Sequence, residues 1–232
     1  MELSETDIRK SVKERYASLA NSAGESCSST SETGYSDVPV EASSISDGSG
    51  QPLGLIKPSD GDTILDLGSG GGADIFQASK LVGRTGRVIG VDATPEMVWK
   101  ARDTAAKYGY QNVDFRLGEI EHLPVESESV DYVISNCVIN LAPDKSVVLS
   151  EAFRVLKRGG RLAISDIVVE EGAPVKSDAE SWCDCESGAI TVHKYKELLA
   201  SSGFQQIDVR SAPKDGHSGS HHDVYVTATK PA

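Results

Sequence analysis

A glycine-rich loop sets the strongest constraint on how this chain can fold. The segment Gly68-Ser69-Gly70-Gly71-Gly72-Ala73 separates an apolar, β-branched run at 62–68 from a helical pattern at 72–82. Glycine tolerates positive φ and leaves room for a ligand beside the backbone, so a strand, a tight turn and a helix N-terminus can follow one another. The loop therefore predicts an α/β sheet that binds a small ligand at the carboxyl end of its first strand.

The rest of the chain repeats this alternation of short apolar runs and amphipathic helical runs. Further strands are predicted over 87–91, 113–117, 130–135 and 161–168, and helices over 95–107 and 144–157, the last with Gly159 as its stop. A helix over 191–202 precedes two strands, 206–211 and 223–229, and the absence of a helix between them predicts an antiparallel pair. The expected fold is a doubly wound α/β domain whose mostly parallel seven-stranded sheet has an antiparallel last strand.

The first 61 residues differ in composition from the rest. Residues 4–20 form a helical pattern with Ser4 as the N-cap. Residues 21–51 contain ten Ser, four Gly and no Lys or Arg, which is typical of a long loop, either a disordered linker or a flap over a site. We therefore predict two units: 1–61, a helix plus a Ser-rich flexible lid, and 62–232, the ligand-binding domain.

Charge and hydropathy exclude some partners. The chain has 23 basic and 35 acidic residues, a formal charge of −12, whereas nucleic acid binding needs a basic face. No apolar run approaches the roughly 18 residues of a membrane helix, and the N-terminal segment has no apolar signal core. We expect a cytoplasmic protein that binds neither nucleic acid nor membranes, with its four cysteines reduced.

Acidic residues follow three successive strands at the edge where the glycine loop lies. Asp66 precedes the loop, Asp92 ends the second strand, and Glu119 with Ile120 follows the third. Asp92, about twenty residues beyond the loop, suits the two ribose hydroxyls of either a dinucleotide or an S-adenosyl cofactor. Asp66 suits a cationic amino acid portion better than a pyrophosphate, whereas Glu119 and Ile120 can meet an adenine amine and cover its ring.

Together with the predicted antiparallel pair of strands at the end of the sheet, these features resemble those of the class I S-adenosylmethionine-dependent methyltransferases over about residues 60–230. The resemblance implies a Rossmann-like fold with S-adenosylmethionine as the cofactor. Asp66 and the glycine loop would bind the methionine portion, Asp92 the ribose, and Glu119 with Ile120 the adenine. The cofactor-binding residues implied are Asp66, Gly68, Ser69, Gly70, Gly72, Asp92, Ala93, Glu119, Ile120 and Asn136.

Three further segments narrow the resemblance to one family. They are Ser135-Asn136-Cys137-Val138-Ile139-Asn140-Leu141, Leu117-Gly118-Glu119-Ile120-Glu121-His122-Leu123-Pro124 and Cys185-Glu186-Ser187-Gly188-Ala189. Taken together with the glycine loop, these segments resemble the sequences of the arsenite S-adenosylmethionine methyltransferases. The resemblance implies that Cys137 and Cys185 are the catalytic thiolates that hold trivalent arsenic as substrate, with an arsenic-binding loop at about 170–192. Cys183 matches no cysteine of that family and is expected to be a neighbouring surface thiol.

The chemistry of arsenic agrees with this implication. Trivalent arsenic is soft and thiophilic, so thiolates select it. Held by sulfur, it keeps a lone pair that can face a methyl donor, so we expect positioning rather than a general base to govern the reaction. Because methyl transfer formally oxidises arsenic, an external thiol reductant, glutathione or thioredoxin, is also expected. We expect the protein to be a monomer.

One segment departs from the family pattern. The family has Gly-Cys-Gly-Asn-Pro before the first strand, whereas this chain has Ser49 at the cysteine position, in Gly48-Ser49-Gly50-Gln51-Pro52. Cys27, in the Ser-rich segment, resembles the family's N-terminal cysteine and is the candidate for a third thiol. A methylated arsenical or thiol-bound arsenite needs only two protein thiolates. We therefore expect either to be a better substrate than free arsenite, which has three exchangeable positions.

Alternatives to this function and to this site stay open at this point. A methyltransferase for an organic small molecule, such as a quinone precursor, would leave the cysteines incidental. A non-catalytic metalloid-binding protein would bind arsenic without making a methylated product. His217, His221 and His222 lie in a Gly- and Ser-rich stretch between the last two strands, where we expect a solvated turn rather than a metal site.

Overall fold

The chain forms one mixed seven-stranded sheet. The computed structural model describes residues 4–22, 38–46, 50–173, 182, 185–212 and 219–232. The strands are β1 (Thr63–Leu67), β2 (Arg87–Asp92), β3 (Val113–Leu117), β4 (Val130–Asn136), β5 (Leu156–Val169), β6 (Gln205–Ser211) and β7 (His221–Thr229), in the spatial order β3-β2-β1-β4-β5-β7-β6. β7 runs antiparallel to both β5 and β6, and the pairs among the first five strands are parallel. The predicted sheet with an antiparallel last strand is confirmed.

Six α-helices and two 3-10 turns accompany the sheet in the described ranges. The helices are α1 (Glu5–Ser22), α2 (Val40–Ser43), α3 (Ala73–Leu81), α4 (Pro95–Tyr108), α5 (Lys145–Val155) and α6 (Val192–Ser201); the 3-10 turns are Pro52–Leu55 and Ile139–Leu141. Ser4 caps α1 as predicted, since its Oγ accepts the Asp7 N–H at 3.2 Å. Within the part of the chain that is described, no helix combines the length and the apolar character needed to cross a bilayer.

Alternate residues of the central strands point to opposite faces of the sheet. Leu65 and Val133 pack with side chains of α5 and α6, whereas Ile64 and Ile134 pack with side chains of α3 and α4. All four side chains are fully buried, and burial of each contributes about 1.5–3 kcal/mol of stability. The sheet is therefore covered on both faces, which confirms the doubly wound arrangement.

The helix predicted over 144–157 is shorter in the structure. α5 ends at Val155, and Leu156 is extended, fully buried and paired with Val130 at the start of β5. The prediction that Gly159 stops the helix is wrong, because the buried pairing of Leu156 with β4 replaces the last helical turn. Gly159 instead lies within β5 with a φ of +78°.

The segment predicted as a Ser-rich lid lies largely outside the described residues, and Cys27 and Ser49 are among those left out. Its described residues 38–46 contain α2, which was not predicted from the sequence. Ile45 is buried with Met97 of α4 and lies so close to the glycine loop that a Cβ on Gly71 would be 2.4 Å from its Cδ1. The division of the chain at residue 61 stays a prediction.

Two histidines of the predicted turn begin a strand instead. His221 and His222 pair with Val169 and Val168 of β5, because β7 starts two residues earlier than expected. His217 lies outside the described residues. Over the described ranges, no group of three His, Cys, Asp or Glu side chains is arranged to hold a metal ion.

Candidate active site

The glycine loop connects β1 to α3, and hydrogen bonds to β2 fix its backbone. The N–H groups of Gly68 and Ser69 donate to the carbonyl oxygen of Val91, at 2.8 and 3.1 Å. Gly68 has a φ of +68°, and a Cβ there would lie 2.5 Å from a methyl carbon of Val138. Glycine is therefore required at 68, where the loop passes the segment that carries Cys137.

Two buried carboxyl groups, Asp66 and Asp92, lie beside this loop. Asp92 accepts the Gly70 N–H on Oδ2 and the Thr94 N–H on Oδ1, both at 2.8 Å. Burial raises the pKa of Asp92 above its ordinary value, although these two hydrogen bonds oppose the effect. Burial also raises the pKa of Asp66, and the nearby carboxylates Asp74 and Asp92 raise it further. A positively charged ligand would stabilise the ionised forms of both groups.

Helix α1 contributes charged side chains to the same site. Lys13 pairs with Glu119 at 2.5 Å, and Arg9 pairs with Glu121 at 2.6 Å, so α1 is tied to the segment after β3 that also carries Ile120. This contact was not predicted from the sequence. The available signal was that Arg9 and Lys13 are four residues apart and therefore lie on one face of a helix.

Asn136 joins the end of β4 to the segment before β1. Its Nδ2 donates to the Gly50 carbonyl at 2.9 Å and to Asp74 Oδ2 at 3.2 Å, and its Oδ1 accepts the Gly50 N–H at 3.2 Å. The backbone of Gly50 is thus fixed beside the residue that precedes Cys137. Asn136 therefore links Asp74, in the first turn of α3 beside the glycine loop, to the segment that carries Cys137.

The two cysteines implied as catalytic are brought into contact across 48 positions of sequence. The Cys185 thiol donates to the Cys137 carbonyl oxygen at 3.2 Å, and both thiols are buried in one cluster with Ile167, Val169 and Ala189. Cys137 has a φ of +56° and Cys185 a φ of +65°. This left-handed backbone is uncommon for residues other than glycine, and strain of this kind concentrates at functional sites. Two soft donors therefore lie together in an apolar setting, which suits a thiophilic substrate.

One cleft contains most of the predicted residues. Its empty volume, counted out to the solvent, is about 1050 Å³. The predicted residues that line it are Asp66, Gly68, Ser69, Gly70, Asp92, Ala93, Glu119, Ile120, Asn136 and Cys137. Gly72 is not among them; a Cβ there would lie 2.8 Å from the Phe115 ring, so its role is to let α3 start against that ring. Cys185 does not line the cleft and only contacts Cys137, which does, and Cys183 lies outside the described residues.

A fully buried polar network lies behind the cysteines. Asp166 accepts the Asn140 Nδ2–H and the Ile167 N–H, both at 2.9 Å, and the Tyr195 hydroxyl at 3.4 Å. Burial raises the pKa of Asp166 to about 7, although the Ile167 N–H and the nearby charge of Lys145 oppose the effect. This network was not predicted from the sequence. Its signal was an acidic residue in the largely apolar second half of β5.

Asp166→Asn should make the protein more stable at neutral and alkaline pH. The pKa of Asp166 is about 7 in the folded protein, against an ordinary value of 3.8. Between these two pH values the folded protein therefore binds a proton that the unfolded chain has lost, and the free energy of unfolding falls as the pH rises through this range. Above pH 7 the buried charge costs about 4 kcal/mol, which an amide of the same shape avoids. Urea unfolding at pH 5 and pH 8 measures the effect, and parallel pH dependence in both proteins would contradict it.

Comparisons with known proteins agree with this geometry. Residues 58–203 match a methyltransferase domain family. A solved structure of an arsenic(III) S-adenosylmethionine methyltransferase from Chlamydomonas reinhardtii is 34% identical and has a TM-score of 0.73; the match covers 85% of this chain and 72% of that one. The chain belongs to the arsenite methyltransferase family. This confirms the resemblance seen in the sequence, and the fold is that of S-adenosylmethionine-dependent methyltransferases rather than dinucleotide-binding enzymes.

Curated relatives with the same family name are longer proteins than this chain. The arsenite methyltransferases of Halobacterium salinarum and Mus musculus are each 44% identical, over 90% and 61% of this chain. The chain spans 60% of the length of the first and 40% of the second. A phosphoethanolamine N-methyltransferase from Haemonchus contortus is 22% identical with a TM-score of 0.68, over 78% of this chain and 52% of that one. At that identity the likeness supports the fold alone.

Proposed function

We propose that this chain is an S-adenosylmethionine-dependent methyltransferase that methylates trivalent arsenic held by Cys137 and Cys185. The observation that carries the proposal is the 3.2 Å contact between the Cys185 thiol and the Cys137 carbonyl, beside a cleft that also contains Asp66 and Asp92. Substrate and methyl donor would then lie next to each other. Holding two reactants in this way is the main contribution that a methyl transfer needs from a protein.

The cleft lining fits S-adenosylmethionine, which when bound supplies a methyl group on a positively charged sulfonium. Asp66 would hold the cationic methionine portion, since burial raises the pKa of its carboxyl group and a cation offsets that effect. Asp92 would accept hydrogen bonds from the ribose hydroxyls. Glu119 and Ile120 would hold the adenine. Among the described residues, the buried Ser69 Oγ has no hydrogen-bond partner, so hydrogen-bonding capacity remains in the glycine loop.

Cys137 and Cys185 would bind arsenic through sulfur. Each As–OH group exchanges for an As–S bond, and the thiol proton leaves with the hydroxide as water. The lone pair that remains on arsenic is the nucleophile, so the two residues need only hold arsenic in place and no general base is required. Ile167, Val169 and Ala189 surround the thiols with apolar surface, which limits hydrolysis of the As–S bonds.

The proposal includes an external thiol reductant. Methylation raises arsenic from the trivalent to the pentavalent state, and oxidation of Cys137 and Cys185 to a disulfide would return the two electrons. Glutathione or thioredoxin would then reduce that disulfide. We place this cycle in the cytoplasm, in a monomeric protein, where it would serve arsenic detoxification.

Product analysis tests the proposed function. The protein is incubated with S-adenosylmethionine, glutathione and either arsenite, methylarsonous acid or a quinol, and the products are identified by mass spectrometry. A methylated arsenical is the expected product. A methylated quinol alone would support an organic small-molecule methyltransferase, and arsenic binding without any methylated product would support a metalloid-binding protein.

Methylarsonous acid should be methylated several-fold faster than free arsenite. The chain has Ser49 where the family pattern has a third cysteine, and serine oxygen is a poor ligand for a soft centre. Glutathione, by occupying one position on arsenic, should accelerate the reaction of arsenite more than that of methylarsonous acid. Single-turnover rates, which need no reductant, measure both effects; faster use of free arsenite would show that a third thiol is present.

A further inference from the structure

Asn140 is a fully buried amide in the 3-10 turn Ile139–Leu141, which follows Cys137. Its Nδ2 donates to the Ile167 carbonyl oxygen at 2.7 Å and to Asp166 Oδ1 at 2.9 Å, and both partners belong to β5. Since both partner atoms are acceptors, the position between them needs a group that donates twice. The side chain of Asn140 therefore fixes the turn after Cys137 to the second half of β5.

Neighbouring groups fix the orientation of this amide. Asp166 Oδ1 also accepts the Ile167 N–H at 2.9 Å, and Asp166 Oδ2 accepts the Tyr195 hydroxyl at 3.4 Å. The main-chain oxygen of Asn140 accepts a hydrogen bond from the Lys145 ammonium at 3.4 Å. Partners on β5, α5 and α6 thus hold both ends of Asn140 in place.

The loop that carries Cys185 attaches to the same turn. Trp182 donates its Nε1–H to the Leu141 carbonyl at 3.1 Å, and its own carbonyl accepts the Cys185 N–H at 3.0 Å. A Cβ on Gly188 would lie 1.9 Å from the Asn140 carbonyl oxygen, so the backbone of the loop packs directly against the turn. The position of Cys185 therefore depends on where the turn lies.

The far end of this loop is attached to β5 independently of the turn. The Val169 N–H donates to the Ile190 carbonyl at 3.2 Å, next to a parallel bridge between Val168 and Ile190. The turn after Cys137 and the loop with Cys185 therefore share β5 as a support. Loss of the Asn140 side-chain bonds would release the turn but not the Ile190 end, so the two cysteines would shift relative to each other.

Arsenic binding makes such a support necessary. The hydrogen bond that joins the two cysteines uses the thiol proton of Cys185, which it donates to the Cys137 carbonyl. That proton leaves when an As–S bond forms, so the hydrogen bond is lost as the substrate binds. Contacts that involve no sulfur must then hold the two loops together. The bonds from Asn140 to β5 meet this requirement.

We propose that Asn140 is a positioning residue that keeps Cys137 and Cys185 at the separation that arsenic binding requires. The inference rests on the proposed role of the two cysteines as arsenic ligands. Their relative position can nevertheless be measured without arsenic or S-adenosylmethionine, from the equilibrium of their disulfide with glutathione. One glutathione disulfide oxidises the two thiols and is itself reduced to two glutathione molecules. Because a disulfide forms only within a narrow range of geometry, the equilibrium constant reports how the two sulfurs are placed.

Asn140→Leu should shift this equilibrium toward the two thiols by roughly 10-fold or more. Leucine has nearly the size of asparagine and adds no charge, but it cannot donate to Ile167 or Asp166. The Cys137–Cys185 disulfide is quantified by peptide mass spectrometry over a series of glutathione ratios. The KM for methylarsonous acid should rise in parallel, whereas S-adenosylmethionine affinity should stay unchanged.

Asn112→Leu is the matched control. It removes an amide whose Nδ2 also donates twice, to the carbonyl oxygens of Ser79 and Gly83, both at 2.9 Å, at the amino end of β3 and away from the cysteines. It should leave the disulfide equilibrium unchanged. Asp166→Asn should leave it unchanged as well, because the amide oxygen can still accept the hydrogen bond from Asn140.

The remaining outcomes separate positioning from general destabilisation. Where circular dichroism shows that Asn140→Leu is unfolded, Asn140→Ser replaces it; serine keeps one donor, and a smaller shift in the same direction is expected. An unchanged equilibrium in the Asn140 variant, or an equal shift in Asn112→Leu or Asp166→Asn, would overturn the proposal. If the expected shifts occur but the wild-type protein makes no methylated arsenical, the proposed function fails and the placement of the two thiols by Asn140 stands.

Discussion

Cys137→Ser and Cys185→Ser should each abolish arsenic methylation and leave S-adenosylmethionine binding unchanged. Serine keeps the shape of the side chain but replaces a soft sulfur by a hard oxygen, so one of the two bonds that hold arsenic is lost. With a single thiol the substrate is no longer fixed, and we expect the rate to fall by at least about 10²-fold. Product analysis by mass spectrometry measures the rate, and isothermal titration calorimetry measures cofactor binding.

Cys183→Ser is the matched control for these substitutions. It removes a thiol two positions from Cys185 that has no counterpart in the family pattern, and it should keep wild-type activity. Wild-type turnover in Cys137→Ser or Cys185→Ser would remove the two-thiol site from the proposal. Loss of S-adenosylmethionine binding in either variant would instead show that the serine disturbs the cleft.

Elements with strong local signals could be predicted from the sequence. The strand at Val113–Leu117 has the predicted bounds, and α4 begins at Pro95, which favours the first turn of a helix. The end of α5 could not be predicted in the same way. It depends on the pairing of Leu156 with Val130, a contact between distant parts of the chain that local patterns do not contain.

The same distinction applies to the site. Asp66, Asp92 and Glu119 could be placed together because the carboxyl ends of parallel strands meet at one edge of the sheet, and all three line the cleft. The spacing of Arg9 and Lys13 places them on one face of a helix, but the packing of α1 beside the segment after β3 could not be predicted, since no local pattern specifies where that helix packs. The acidic residue itself was visible in the sequence, but the environment of Asp166 could not be predicted, because Asn140 and Tyr195 come from two other elements.

The cysteines needed a different kind of information. Cys137 and Cys185 are far apart in sequence, and only the family resemblance paired them before the fold was considered. The structure adds the physical reason why they meet: the loop around Gly188 lies against the backbone of Asn140, three residues beyond Cys137. This contact makes the glycine at 188 a sensitive point for the position of Cys185.

Gly188→Ala should lower arsenic methylation by about 10²-fold, because a misplacement near 1 Å is enough for such a loss. A Cβ at 188 would lie 1.9 Å from the Asn140 carbonyl oxygen, far inside the 3.0 Å below which real contacts essentially never fall. The Cβ is attached directly to the backbone of residue 188, and the Asn140 oxygen belongs to the backbone, so neither atom can rotate away. The loop must therefore move away from the 3-10 turn Ile139–Leu141. Cys185 would then separate from Cys137.

Gly54→Ala is the control for this substitution, since a Cβ at 54 meets no atom within 4 Å, and it should keep wild-type activity. S-adenosylmethionine affinity should be unchanged in Gly188→Ala, because the residues that line the cleft do not include this loop. Arsenic binding, measured as arsenic retained per protein after desalting, should fall together with the rate. If Gly188→Ala retains both, the position of Cys185 does not depend on the contact with Asn140, and the rigid two-thiol site is wrong.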